Sequence, residues 1–154
     1  MMKLSVKTSL LWIVMSGVFI SSVVQAESPD ETAIVDDREI IWVTAEEKAV
    51  LLSEMRAFLV ATHEILEACL AKDIAAVEQA ARPVGMKVMK ATSKVLHAKF
   101  PEGFKTLGPK AHMGFEDIAD EAAGLGDREV VLEHLAKLQK TCIRCHKMYG
   151  LEVK

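Results

Sequence analysis

The sequence has few cysteines, no basic stripe and no clean strand alternation, and each shortage excludes a class of protein. Only three of its 154 residues are cysteine, and three cysteines do not make a disulfide framework. Acidic residues outnumber basic ones by 22 to 19, and without a basic stripe nucleic acid is not an expected partner. Because no stretch alternates apolar and polar residues as a half-buried strand does, the pattern predicts helices.

The first 26 residues have the pattern of a secretory signal peptide. Lys3 and Lys7 lie in a short basic start, an uncharged apolar run follows, and VQA precedes the expected cleavage after Ala26. A permanent N-terminal anchor is the alternative, but the run is short for a spanning helix. We therefore expect export to the periplasm and a mature chain of one domain without a membrane span. Cleavage removes two lysines and no acid, so the mature chain is more acidic than the whole.

The rest of the sequence divides into a lead-in and a helical domain. Residues 27–43 are acidic and then briefly apolar, and we expect them to be flexible. Residues 44–154 contain four predicted helices, A to D, whose apolar residues recur at alternating spacings of four and three; we call each such row a seam. The seams are Leu51, Met55, Phe58, Thr62, Ile65 and Cys69 in A; Val77, Ala81, Val84, Val88, Ala91 and Val95 in B; Ala111, Phe115, Ile118, Ala122 and Leu125 in C; and Val131, Leu135, Leu138, Cys142, Cys145 and Tyr149 in D. Four such helices with short links predict an all-α fold, an up-and-down antiparallel four-helix bundle.

Capping residues and helix breakers mark the predicted boundaries. Thr44 and Glu47 form a capping box at the start of helix A, and Asp73 and Asp127 are the expected N-caps of helices B and D. Pro83 should kink or divide helix B, because proline lacks a backbone donor.

A loop is predicted between helices B and C. The stretch FPEGFKTLG should end helix B and contain at most a short turn, so that helix C starts near Pro109. The stretch GLGD then separates helix C from helix D.

The stretch TCIRCHKMYGL, near the end of the sequence, carries the chemistry. Residues three and four apart share a helix face, so Cys142, Cys145 and His146 project together from the last turns of helix D. Two thiols at this spacing can add to the two vinyl groups of one haem, and the histidine can then bind the iron from the same side. The sequence therefore predicts one covalent haem c with His146 as its proximal ligand.

This stretch has three other interpretations. A structural zinc site needs four ligands, commonly in two paired clusters, and no second Cys-x-x-Cys is present. A thioredoxin-like dithiol belongs at a helix N-terminus in a βαβ setting, whereas Cys142 and Cys145 lie at the C-terminal end of a predicted helix. The third is chance: two core cysteines beside an unrelated histidine.

With these features the chain resembles the class II c-type cytochromes, the cytochrome c′ family. These are exported four-helix bundles with Cys-x-x-Cys-His near the C-terminus and an aromatic residue after it. CIRCHKMY supplies Cys142, Cys145, His146 and Tyr149, and the resemblance spans nearly the whole mature chain. Many members carry a basic residue after the aromatic, where this chain has Gly150, which puts the salt link of that residue in doubt. Relatives often dimerise through helices A and B, so the resemblance also implies a possible homodimer.

In the family the sixth coordination position of the iron faces a residue on helix A, and the resemblance places Met55 there. A methionine there implies a low-spin haem for electron transfer, whereas an aliphatic or aromatic residue implies a five-coordinate iron that binds small gases. The helix A seam also contains Met55, and a thioether suits haem iron, but a seam methionine can equally be plain core. Ligation by His63 is a further alternative. Arg56, a candidate for a propionate contact, is about one position off the seam.

The remaining histidines and Cys69 are expected to have ordinary roles. His112 is interpreted as a polar residue near a helix start that could approach a propionate. His97 and His134 are expected to be in solvent, and Cys69 to be a small buried hydrophobe.

The predicted function is electron transfer by a periplasmic c-type cytochrome that is not an enzyme. Its redox partner is unknown, although the negative net charge suggests that a partner presents a basic patch. A five-coordinate haem protein that binds or senses nitric oxide or carbon monoxide is the alternative. An exported helical interaction domain without haem is the third hypothesis.

Overall fold

A computed structural model describes residues 36–89 and 94–154 of the chain. The predicted signal segment, residues 27–35 of the predicted lead-in and the seam residue Ala91 lie outside the described residues. Within them the elements follow in this order: β1 (Glu39–Val43), α1 (Ala45–Ala71), α2 (Ile74–Ala81), a 3-10 turn (Arg82–Val84), α3 (Met86–Met89), α4 (Lys94–Ala98), α5 (Glu102–Ala123), α6 (Arg128–Met148) and β2 (Tyr149–Val153). The protein is therefore mostly helical, as predicted, with a small sheet that the sequence did not indicate.

Helix α1 begins and ends as its sequence dictates. Thr44 Oγ1 accepts from the backbone N–H of Glu47 at 3.2 Å, and Glu47 Oε2 accepts from the backbone N–H of Thr44 at 2.8 Å. This confirms the predicted capping box. At the other end Lys72 adopts a left-handed conformation with φ 58°, and Asp73 caps α2 by accepting from the N–H of Ala76. Every seam residue of α1 is buried or half-buried.

Predicted helix B is divided at Pro83, as expected. Helix α2 ends at Ala81, and the 3-10 turn and α3 follow. Arg82 fixes this break: its Nη1 lies 2.7 Å from Glu116 Oε1 on α5, and Glu116 Oε2 accepts from the N–H of Met86. The predicted seam fails beyond the break, because the chain has turned; Val88 and Val95 are 41% and 68% exposed.

The prediction of a loop before Pro109 is wrong. Helix α5 already begins at Glu102, after Pro101, and passes through Pro109. Phe104 and Leu107 extend the apolar spacing of this helix toward its start, and both are buried. Their burial offsets the helix destabilisation that an internal proline causes, about 3 kcal/mol. The predicted seam residue Leu125 lies beyond the end of α5 and is 91% exposed.

Helix α6 starts as predicted, but it ends before Tyr149. Asp127 Oδ1 accepts from the N–H groups of Glu129 and Val130, which confirms it as the N-cap. Tyr149 is the first residue of β2, which pairs in parallel with β1 so that Glu39 faces Tyr149. The predictions of a helical Tyr149 and of a flexible lead-in across β1 are therefore wrong.

The sequence pattern does not predict strand β1 because the strand is short. Ile41 and Val43 point inward and are 2% and 1% exposed, while Trp42 between them is 51% exposed. This alternation covers only five residues, and the strand needs the distant β2 as its partner.

The core consists of two apolar clusters. The first lies among α1, α2, α5 and α6 and includes Ile65, Phe115 and Val131. The second lies under β1 and β2, against α4 and the start of α5, and includes Ile41 and Phe104. Among the helices, α1 packs against α2 and α6, and α5 packs against the same two. The candidate site lies where the two clusters meet.

Candidate functional site

Cys142 and Cys145 connect the two apolar clusters through the last turns of α6. Cys142 packs against the first cluster and Cys145 against the second, and both are half-buried. His146 follows on the same helix and is exposed. The helical spacing puts all three side chains on neighbouring positions of one face, as predicted.

These three side chains line a cavity of about 320 Å³. Its walls are mostly apolar and come from α1, α3, α4, α5 and α6. Residues that matter for its chemistry are Glu54, Met55, Phe58, Met89, Lys94, His97, Phe104, Lys105, His112, Cys142, Cys145 and His146. Side chains that are distant in sequence thus line one cavity.

Met55 is half-buried on α1 and lies in the cavity wall together with Cys142, Cys145 and His146. The structure therefore brings together the four residues on which the sequence interpretation depends. His63, the alternative ligand, does not line this cavity. Its side chain is 69% exposed and lies 3.4 Å from Glu67 Oε2, so the structure gives no support to a His63 ligand.

The two thiols have the electrostatics of buried cysteines and not of a reactive dithiol. Burial raises the pKa of both Cys142 and Cys145, and the neighbouring Cys142 raises that of Cys145 further. Both cysteines are free. A redox dithiol needs a lowered thiol pKa at a helix N-terminus, so the thioredoxin-like interpretation gains no support from these two thiols.

The zinc interpretation also gains no support. Across residues 36–89 and 94–154, no three side chains of His, Cys, Asp or Glu are grouped closely enough to hold a metal ion. Structural zinc commonly takes four such ligands. Cys69, the third cysteine, is 3% exposed in the first cluster, and burial raises its pKa. This confirms its expected role as a small buried hydrophobe.

His112 is buried in the cavity wall, contrary to the prediction of a polar flank residue. It is 4% exposed, and its ring lies edge-on to Phe58 with centroids 5.0 Å apart. The Nδ1 atom lies 2.9 Å from the carbonyl of Val84, and Nε2 lies 3.4 Å from Glu54 Oε1. Because a carbonyl only accepts, Nδ1 carries a proton.

Glu54 contributes to the pKa of His112. Burial lowers the pKa of His112, but the hydrogen bonds to Glu54 and Val84 outweigh it and raise that pKa overall. The wall that carries Met55 therefore also holds a polar pair, His112 and Glu54. Sequence reasoning missed this pair because α5 begins earlier than predicted.

A second set of side chains, Met89, Lys94, His97 and Lys105, was also missed. His97 is exposed, as predicted, yet it lines the cavity. Lys94 precedes it by three positions and so shares its face of α4. Nothing in the local sequence marks these residues, because the tertiary placement of α4 brings them to the cavity.

A smaller cavity of about 220 Å³ adjoins the first. Met55, Cys145 and His146 line both. Arg38 and Gly150 line the smaller one, and a Cβ atom on Gly150 would lie 3.7 Å from the guanidinium carbon of Arg38. The guanidinium of Arg38, from the segment before β1, therefore lies close to Gly150.

Comparison with models of protein families, with curated proteins and with solved structures finds no match for this chain. A search of the helices in residues 36–89 and 94–154 finds none with the length and apolar character needed to cross a membrane.

Proposed function

We propose that this chain is an exported c-type cytochrome that transfers single electrons through one covalent haem. The observation that carries the proposal is the convergence of Cys142, Cys145, His146 and Met55 on one cavity with mostly apolar walls. When bound, haem would supply an iron that accepts and releases one electron. No substrate is transformed.

The residues fit this cofactor in their chemistry. Two free thiols three positions apart on one helix match two vinyl groups, and the adjacent His146 is a nitrogen ligand. The thioether of Met55 would offer the iron a soft, neutral second ligand. Phe58 and Phe104 provide apolar surface in the same cavity, which limits the access of water and favours a higher potential.

We also propose that the helices form a four-helix bundle. The helices pack in a ring in which each contacts the next. The contacts are α1 with α2 of the broken segment α2–α4, α2 with α5, α5 with α6, and α6 with α1. This order supports an up-and-down four-helix bundle. We assign the protein to the periplasm on the pattern of residues 1–26, and its negative charge favours an electron-transfer partner with a basic patch.

Absorption spectra of the protein matured in the periplasm test the proposal. Low-spin bands in both oxidation states that carbon monoxide leaves unchanged are expected if His146 and Met55 are both ligands. Retention of a covalent haem by a Cys142→Ser, Cys145→Ser double variant would contradict the proposal. A wild-type protein without haem would favour the helical interaction domain.

A five-coordinate haem protein that binds nitric oxide or carbon monoxide is the second candidate. The polar pair His112 and Glu54, in the wall that also carries Met55, favours it. The polarity of the distal pocket influences how haem iron binds small ligands, so this pair would act on such a ligand if Met55 did not bind the iron. A high-spin spectrum that shifts on addition of carbon monoxide would select this candidate.

A further inference from the structure

The charged side chains that line the 320 Å³ cavity are unevenly distributed. The titratable groups in its lining are Glu54 on α1, Lys94 and His97 on α4, Lys105 and His112 on α5, and Cys142, Cys145 and His146 on α6. Glu54 Oε1 lies 3.4 Å from His112 Nε2. Glu54 is the one carboxylate among these lining residues, so the lining holds more lysines than carboxylates.

Helix α4 is held at the cavity by one buried residue of its own and by two contacts of the residues that follow it. Leu96 is 4% exposed, and Phe100, just beyond the helix, packs on Phe104 with ring centroids 4.6 Å apart. Lys99 Nζ lies 2.7 Å from Glu47 Oε2 on α1. These contacts fix which face of α4 meets the core, and Lys94 and His97 lie on one face of that short helix.

Lys105 approaches the same space from α5. Its side chain is 25% exposed and lies 2.7 Å from Glu102 Oε1, whose side chain is 88% exposed. An ion pair with so exposed a partner contributes little. The ammonium of Lys105 can therefore exchange Glu102 for a carboxylate inside the cavity at small cost.

We propose that Lys94, His97 and Lys105 form a carboxylate-binding edge of the cavity, which takes the two propionates of the haem. This inference rests on the proposed function. Haem carries its vinyl groups and its propionates at opposite edges, so with the vinyl edge held by Cys142 and Cys145 the propionates would lie away from those two thiols. Helix α6 packs mainly against α1 and α5, so α4 supplies the part of the wall that these helices leave.

The chemistry of the edge matches a dicarboxylate. Two ammonium groups balance two propionates, and the imidazole of His97 adds a hydrogen-bonding group. Opposite charges within about 4–6 Å lower the pKa of a carboxyl by about 1–3 units. The edge therefore keeps the propionates ionised to lower pH than solvent would.

The pH dependence of the haem midpoint potential tests the edge, because propionate ionisation changes the potential. In a Lys94→Gln, Lys105→Gln double variant we expect the acidic inflection to move upward by about 1 pH unit. The Lys94→Arg, Lys105→Arg variant should keep the wild-type inflection. Lys110→Gln is the matched control, since Lys110 is an exposed lysine on α5 that does not line the cavity.

A His97→Gln variant shows whether His97 or the propionates cause the inflection. If His97→Gln abolishes the inflection while the double variant leaves it in place, His97 is the titrating group and the proposal is overturned. An inflection that is unmoved in the double variant, or equally moved in Lys110→Gln, also overturns it. Failure of the proposed function is distinguishable, because the wild-type protein would then hold no covalent haem at all.

Discussion

Met55 on α1 and Cys145 on α6 line the same two cavities. Cys145 belongs to the stretch that predicts covalent haem, and Met55 belongs to the seam that predicts a distal ligand. Their shared position is a tertiary relationship that neither stretch contains by itself. It turns two separate patterns into one candidate site and leads to the following predictions.

Replacement of Met55 tests the distal ligand. In a Met55→Leu variant we expect the low-spin bands to be lost and carbon monoxide to bind, because leucine has no donor atom for the iron. Met113→Leu is the control, since Met113 is 49% exposed on α5 and lies outside the cavity. If Met55→Leu kept the wild-type spectrum, Met89 and His112 would be the next ligands to test.

Strand β1 should contribute strongly to stability, although it lies outside the helices. Ile41→Ala removes a side chain that is 2% exposed in the second cluster, and we expect it to lower the free energy of unfolding by about 2–5 kcal/mol. Trp42→Ala, in the exposed position next to it, should cost much less. Urea unfolding of both variants measures the difference, and equal small effects would show that β1 is not part of the folded domain.

The capping box at Thr44 should have a smaller, separate effect. Thr44→Ala removes the acceptor for the N–H of Glu47, and the expected loss of unfolding free energy is about 1 kcal/mol. Ser53→Ala serves as the control, because Ser53 is exposed inside α1. A cap variant as stable as this control would contradict the role assigned to Thr44.

The pair of His112 and Glu54 should make stability depend on pH. The pKa of His112 is raised above its ordinary value of 6.5 because its hydrogen bonds outweigh its burial. Protonated His112 therefore contributes stability that is fully present below about pH 6.5 and is lost as the pH rises through the folded pKa.

Comparison of wild type with His112→Gln measures this contribution. The difference in unfolding free energy should be largest in mild acid and should shrink as the pH is raised. His63→Gln, at a histidine that is 69% exposed, should show no such trend. A difference for His112→Gln that stays constant with pH would exclude the raised pKa.

Local pattern predicted some parts of this structure because their causes are local. The caps at Thr44, Asp73 and Asp127 depend on residues within three positions, and the break at Pro83 depends on a missing donor. The seam of α1 follows from helical periodicity alone, which is why Met55 lies in the cavity wall as expected.

Other parts depend on contacts between distant segments. Helix α5 continues through Pro109 because Phe104 and Leu107 are buried by other elements, and β1 exists only because β2 pairs with it. The burial of His112 and the approach of His97 follow from these placements. No pattern within one segment could have indicated them.

The most direct test of covalent haem attachment is whether the denatured protein keeps its haem. Wild-type chain matured in the periplasm should keep one haem through acid denaturation, visible as a pyridine haemochrome and as the mass of one added haem. The Cys142→Ser, Cys145→Ser variant should lose it. A wild-type protein that releases its haem on denaturation, or never acquires one, would contradict the account.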